Sequence, residues 1–248
     1  MLVSAAVCPC PPLLVPEVAA GAAPELDAAR AACAEALGVL AAARPDRLVV
    51  VGTADGPGRE AYPEGATGSF RGFGVAAEVV LGARAESGAT GPATDPERGA
   101  TGGLPVSLAV GAWLLEQVCW AAAPVSGLGV GETSGTQECV TAGREIAAVS
   151  DRVALLVMGD ASACRTVKAP GYLDERAAGF DTEAARLLAA ADVPGLLALD
   201  AGLARELRAA GRAPWQVLAG AAGGAGLAGE LLYEDAPYGV GYLVAVWS

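Results

Sequence analysis

The chain alternates short, continuously apolar runs with longer stretches in which apolar residues return every three or four positions. Residues 2–7 form the first apolar run, which stops at Cys8-Pro-Cys-Pro-Pro12. Prolines fit neither a helix interior nor a sheet ladder, so a rigid loop is expected to leave this strand's end. Over residues 24–43, Leu26, Cys33, Leu37 and Leu40 recur at helical spacing, with Glu25, Asp27 and Arg30 among the polar positions, which predicts an amphipathic helix. Arg47-Leu-Val-Val-Val51 and Val153-Ala-Leu-Leu-Val-Met158 have the unbroken apolar character of parallel strands buried on both faces. Helical patterns over 105–120, 180–191 and 201–210, and strand patterns over 73–81 and 240–247, complete the series. Strand and helix in alternation predict an α/β fold, a three-layer sandwich with a central, mostly parallel sheet flanked by helices. Residues 82–103 have neither periodicity nor large apolar side chains and are expected to form a mobile loop. With 248 residues, 53% of them apolar, the chain reads as one domain over 1–248.

In open α/β sheets ligands bind outside the carboxyl ends of the strands. The strand ending at Gly52 is followed by Asp55, and the one ending at Gly159 by Asp160. Both are preceded by the same Asp-Arg pair, Asp46-Arg47 and Asp151-Arg152. These matching positions predict one crevice that brings Cys10 and Asp55 to opposite walls, with Asp160 and Ser162 nearby. A carboxylate at a strand exit also serves as a cap or turn residue, so both roles stay open for Asp160. Lys168, with Tyr172 and Asp174, either binds an acidic group at the crevice mouth or belongs to a surface loop stiffened by Pro170-Gly171. Cys33 and Cys119 fall on apolar helical faces and are expected in the core, whereas no role is apparent for Cys139.

Charge narrows the partners. A formal net charge of −12 argues against nucleic acid and anionic membrane surfaces, both of which would repel the chain. A small-molecule ligand, a second copy or a partner subunit remains. The amino-terminal apolar run is too short for a secretory core and lacks preceding positive charge, and no run approaches a membrane span. The expected compartment is the cytoplasm, where the six cysteines are thiols; no C-x-x-C pair suggests a zinc site. There is no histidine. A nucleophilic Cys10 or Cys164 therefore has no imidazole base, and Arg165 and Lys168 could lower a thiol pKa only electrostatically.

Three loops at three strand ends, in this order, resemble the class III extradiol ring-cleavage dioxygenases, the family of the catalytic subunit of protocatechuate 4,5-dioxygenase, and more distantly the Memo-like proteins. The residues that carry the likeness are Cys8-Pro-Cys-Pro-Pro-Leu-Leu14, similar to a Pro-His-Pro-Pro metal loop, together with Val157-Met-Gly-Asp-Ala-Ser162 and Lys168-Ala-Pro-Gly-Tyr-Leu-Asp174. Pro214-Trp-Gln-Val-Leu-Ala-Gly220 and Ala236-Pro-Tyr-Gly-Val-Gly-Tyr242 look like a subgroup of small relatives. The resemblance implies Fe(II) held by two histidines and a carboxylate, with a further histidine as base and acid. Carried over position by position, the two histidine ligands fall on Cys10 and Asp55, the catalytic histidine on Ala163, and the carboxylate near Gly211, anchored by Trp215. The resemblance thus implies a dioxygenase-like protein degenerate at its Fe(II) site. The alternative it leaves is an active metalloenzyme with an altered Cys10/Asp55 metal site, completed by Asp160 or Ser162, acting on a small aromatic compound. In the bland alternative Cys10 fills the space of a lost imidazole as a small buried hydrophobe.

Overall fold

The apolar runs become the centre of the sheet because only strands covered on both faces can bury every side chain they carry. The computed structural model describes residues 1–83 and 103–248; of the loop expected at 82–103, residues 84–102 lie outside the described residues. In chain order the first half contains β1 (Leu2–Cys8), α1 (Pro16–Ala19), α2 (Asp27–Ala42), β2 (Arg47–Ala54), β3 (Arg59–Tyr62), β4 (Thr67–Ser69), β5 (Glu78–Val80) and α3 (Val106–Gln117). There follow β6 (Val125–Gly131), α4 (Thr136–Ala147), β7 (Val153–Met158), α5 (Ala177–Ala189), α6 (Val193–Leu197), α7 (Ala201–Glu206), α8 (Arg212–Ala221), β8 (Gly229–Asp235) and β9 (Tyr242–Trp247).

The main sheet has the order β3-β6-β2-β7-β1-β9-β8. Its four middle strands, β6, β2, β7 and β1, are parallel, while β3, β9 and β8 run antiparallel to their neighbours. Every residue of β7 is buried, and its side chains alternate between two cores. Ala154, Leu156 and Met158 join Leu48, Val50, Leu37 and Leu108 on the face covered by α2 and α3. Leu155 and Val157 join Val49, Val51, Leu187 and Trp215 on the face covered by α4, α5 and α8. This is the three-layer α/β sandwich that the alternating pattern predicts. The two Asp-Arg pairs echo each other because β2 and β7 are neighbours: the Arg152 N–H donates to the Asp46 carboxylate (3.0 Å) and the Asp46 N–H to the Arg152 carbonyl (2.8 Å).

Several local expectations change. The strand expected over 73–81 shrinks to β5, which pairs with β4 in a separate two-stranded sheet, because Gly72 and Gly74 interrupt the chain with a 3₁₀ turn. The helix expected over 201–210 ends at Glu206, and Arg208 turns the backbone left-handed (φ 54°). Cys33 is in the core as expected; Cys119 is exposed just past α3, where φ is 50°. Among the described residues no helix is long and apolar enough to cross a membrane.

α4 and α8 pack backbone to backbone. A Cβ on Gly143 would fall on the Val217 carbonyl and 2.6 Å from the Ala221 nitrogen, and one on Gly220 would lie 2.6 Å from the Val140 carbonyl oxygen. Backbone cannot yield as a flexible side chain can. Gly143→Ala is therefore expected to destabilise the fold by about 1–3 kcal/mol, read as a lower urea midpoint with an unchanged slope.

Candidate functional site

Strand register brings the site together. Cys8 and Gly52 both pair with Met158, and β2 and β6 run on together to the pair Ala54 and Gly131, so the four strands end within two residues of one another. Continued past these ends, the registers place Cys10 beside Asp160, and Asp55 beside Glu132. On the other side of Cys10, the antiparallel pairing of β1 with β9 (Val7 opposite Ala245) leads to Tyr242. The expected crevice is there. It has a volume of about 180 Å³ and is lined by Cys10, Ala54, Asp55, Val106, Ser107 and Glu132. Ser107, in the first turn of α3, is drawn in by its hydroxyl, which donates to the Thr53 carbonyl (2.6 Å). Gly52 permits this approach, since a Cβ there would lie 2.5 Å from the Ser107 hydroxyl oxygen. Hollows of about 320 Å³ lie elsewhere, one of them between α2 and α3, but none of them gathers cysteine with carboxylates.

Asp160 is fixed by its neighbour: the Cys10 N–H donates to Asp160 Oδ1 (2.8 Å). Burial raises the Asp160 carboxyl from 3.8 to about 7, against which this single hydrogen bond acts only in part. Burial, with the Asp160 carboxylate beside it and Glu132 further off, pushes the Cys10 thiol well above its ordinary value. Without a metal Cys10 is thus a protonated thiol at neutral pH, which disfavours a nucleophilic role. Asp160 acts as a hydrogen-bond anchor for the loop after β1 and as a carboxyl group poised between its two protonation states.

The other expected pocket residues go elsewhere. Ser162 faces the opposite core: its N–H and hydroxyl both donate to the buried Asp181 carboxylate (2.8 and 2.9 Å), which also pairs with Arg165 (3.0 Å). A hydroxyl directed at a buried carboxylate on α5 is not available to the crevice. Lys168 is exposed with no ion pair among the described residues. Tyr172 is 64% exposed with a left-handed backbone (φ 63°), and Asp174 is held by Arg176, which lowers its carboxyl to about 2. Residues 168–174 are the surface loop, not the crevice mouth.

The residues present do not fit an iron centre. Among the described residues no three Cys, Asp or Glu side chains come together as metal ligands. Ala163 is buried, its N–H donating to the Leu207 carbonyl (2.9 Å). At 211, a Cβ would fall on the Trp215 indole and 2.9 Å from the Asp160 carbonyl oxygen, leaving no room for any side chain.

Three residues beside the crevice escape sequence inspection. Glu132 follows β6, a strand disguised by Gly127, Gly129 and Gly131. Tyr242 lies on the far side of the chain in sequence and meets Cys10 only through β9. Arg212 is 2% exposed and has no carboxylate partner among the described residues; it donates to the Ser134 carbonyl (2.7 Å), the Glu132 carbonyl and Gln216 Oε1 (3.1 Å). It thereby holds the backbone that carries Glu132.

No protein-family model matches the chain, and no curated protein matches it. Among solved structures, the uncharacterized protein JW3007 from Escherichia coli K12 has a similar fold, with a TM-score of 0.53 and 12% sequence identity over 99% of this chain and 99% of that one. At that identity the similarity is one of fold alone.

Proposed function

We propose that this chain is a class III extradiol dioxygenase-like protein that has lost its iron chemistry and binds a small molecule in the crevice at its strand ends. The observation that carries this is the joint position of Cys10 and Asp55. The two places where the resemblance puts histidine ligands line one crevice, yet among the described residues no third ligand joins them. The base that the resemblance places at 163 is replaced by a buried alanine, which cannot take a hydroxyl proton. The cytoplasm is the proposed compartment, supported by six cysteines that are all unpaired.

The test is oxygen uptake. Protein loaded anaerobically with Fe(II), without a histidine tag, is then given protocatechuate and O2. The expected result is no uptake above that of Fe(II) alone, since loss of a general base costs on the order of a hundredfold or more and loss of the metal removes the reaction. Uptake that disappears in Cys10→Ala or Asp55→Ala would establish a metalloenzyme with a Cys/Asp site instead.

A further inference from the structure

The loop between β7 and α5 is at once rigid, exposed and apolar. Three of the seven large apolar side chains exposed among the described residues, Val167, Tyr172 and Leu173, lie in it. Its backbone is pinned from within: the Gly171 N–H donates to the Ala163 carbonyl (2.8 Å), the Tyr172 N–H to the Ala169 carbonyl (2.9 Å) and the Asp174 N–H to the Cys164 carbonyl (3.0 Å). That pinning holds Tyr172 in a left-handed turn (φ 63°), which glycine would adopt without strain, with 64% of the residue in solvent. A fixed loop gives up little conformational freedom on docking, so these apolar side chains form a preorganised contact surface.

Charge indicates what covers it. Lys168 is exposed on the loop, as is Arg208, whose guanidinium donates to the Pro170 carbonyl (2.9 Å); neither has a carboxylate partner among the described residues. Directly beside the loop runs the turn between β8 and β9. The Arg165 N–H donates to the Gly239 carbonyl (3.0 Å), and a Cβ on Gly239 would lie 2.6 Å from the Ala169 Cβ. This neighbouring turn is acidic: Asp235 ends β8, and the Tyr238 hydroxyl donates to Glu25 (3.0 Å). Both carboxylates are exposed, again without an ion pair among the described residues. Unpaired cations and unpaired carboxylates thus stand side by side with exposed apolar side chains. A two-fold axis between them sets the cations of one copy against the carboxylates of the other, twice over. The net charge of −12 opposes association of two copies, and a face that carries its own cations is where that opposition is least.

We propose that this face is a two-fold interface between copies of this chain, the apolar loop at its centre and Lys168 and Arg208 of each copy opposite the acidic turn of the other. It is independent of the crevice and of what the crevice binds. An anionic membrane is a poorer occupant, because the carboxylates within the same face would meet its negative charge.

Sedimentation equilibrium of the full chain from about 1 to 100 µM is expected to show monomer and dimer in exchange. Lys168 is the only lysine in the chain, so acylation by a water-soluble succinimidyl ester, located by mass, reports its accessibility. Its labelling should slow as dimer forms, while that of the Met1 amine, at the opposite end of the sheet, should not. Lys168→Glu with Arg208→Glu, and Glu25→Lys with Asp235→Lys, are each expected to weaken the dimer at least about tenfold. The second pair makes the chain less negative, so it would strengthen an association governed by net charge alone. An equimolar mixture of the two double variants should restore the dimer, because each reversed half then meets its opposite. Tyr172→Gly keeps the left-handed turn and is expected to weaken the dimer without lowering the urea midpoint of dilute monomer. A monomer throughout, a dimer indifferent to both double variants, a folded mixture that fails to restore it, or constant Lys168 labelling as dimer forms would overturn the proposal. So would binding to phosphatidylserine vesicles that Lys168→Glu abolishes, which assigns the loop to a membrane. Should a double variant fail to fold, the labelling of the unmodified protein still decides.

Discussion

Asp160→Asn is expected to make the protein more stable at about pH 8 and to change it little near pH 4. The folded carboxyl titrates at about 7 and the unfolded one near 3.8, so between these values the folded protein holds a proton that the unfolded chain has released. Stability contributed by the protonated form is therefore complete below about pH 4 and is lost as pH rises to about 7, after which the curve is flat. Roughly three pH units at 1.36 kcal/mol each set an upper bound of about 4 kcal/mol, reduced by whatever solvent reaches the carboxylate. Asparagine keeps an oxygen for the Cys10 N–H and cannot ionise. Urea unfolding of both proteins from acid to alkaline pH measures the difference directly; parallel curves would mean that Asp160 is solvated and ordinary. Burial also raises the Asp181 carboxyl despite its bonds to Ser162 and Arg165, but that contribution is common to both proteins and cancels. A group that destabilises the fold at neutral pH, hydrogen-bonded to the crevice-lining Cys10, fits a position kept for binding rather than for stability.

Arg212→Met is expected to lower stability by about 2–3 kcal/mol and to loosen the crevice wall. Methionine fills much of the space but leaves the Ser134 carbonyl, which lies in buried backbone, and the Gln216 Oε1 without their charged donor. The Glu132 carbonyl, on an exposed residue, can turn to water, so part of the loss is recovered. Arg212→Lys should fall between the two, because an ammonium has no planar fork with which to span both carbonyls. Hydrogen exchange distinguishes a local from a global effect: faster exchange is expected over residues 131–135 at a denaturant concentration where β7 remains protected. Uniform loss of protection would show that Arg212 supports the whole fold and not this wall.

The sequence by itself determined the layers and the row of strand exits. Its unbroken apolar runs over residues 2–7, 47–51 and 153–158 could satisfy their side chains only with cover on both faces, and the residues just beyond them, Cys10, Asp55 and Asp160, therefore lie at one edge of the sheet. What it could not determine was which further groups share that edge, because neighbours in a sheet are set by strand order and not by distance along the chain. Glu132 enters through β6, whose glycines carry no apolar signal, and Tyr242 enters through a final strand that runs antiparallel. α8 is buried on every side, Arg212 included, and a charged residue at the start of a helix reads in sequence as an exposed one. Ser162 shows the same limit from the other direction. It lies two residues from Asp160 in sequence, yet its side chain belongs to the opposite core, because only the packed fold offered it the Asp181 carboxylate as a partner.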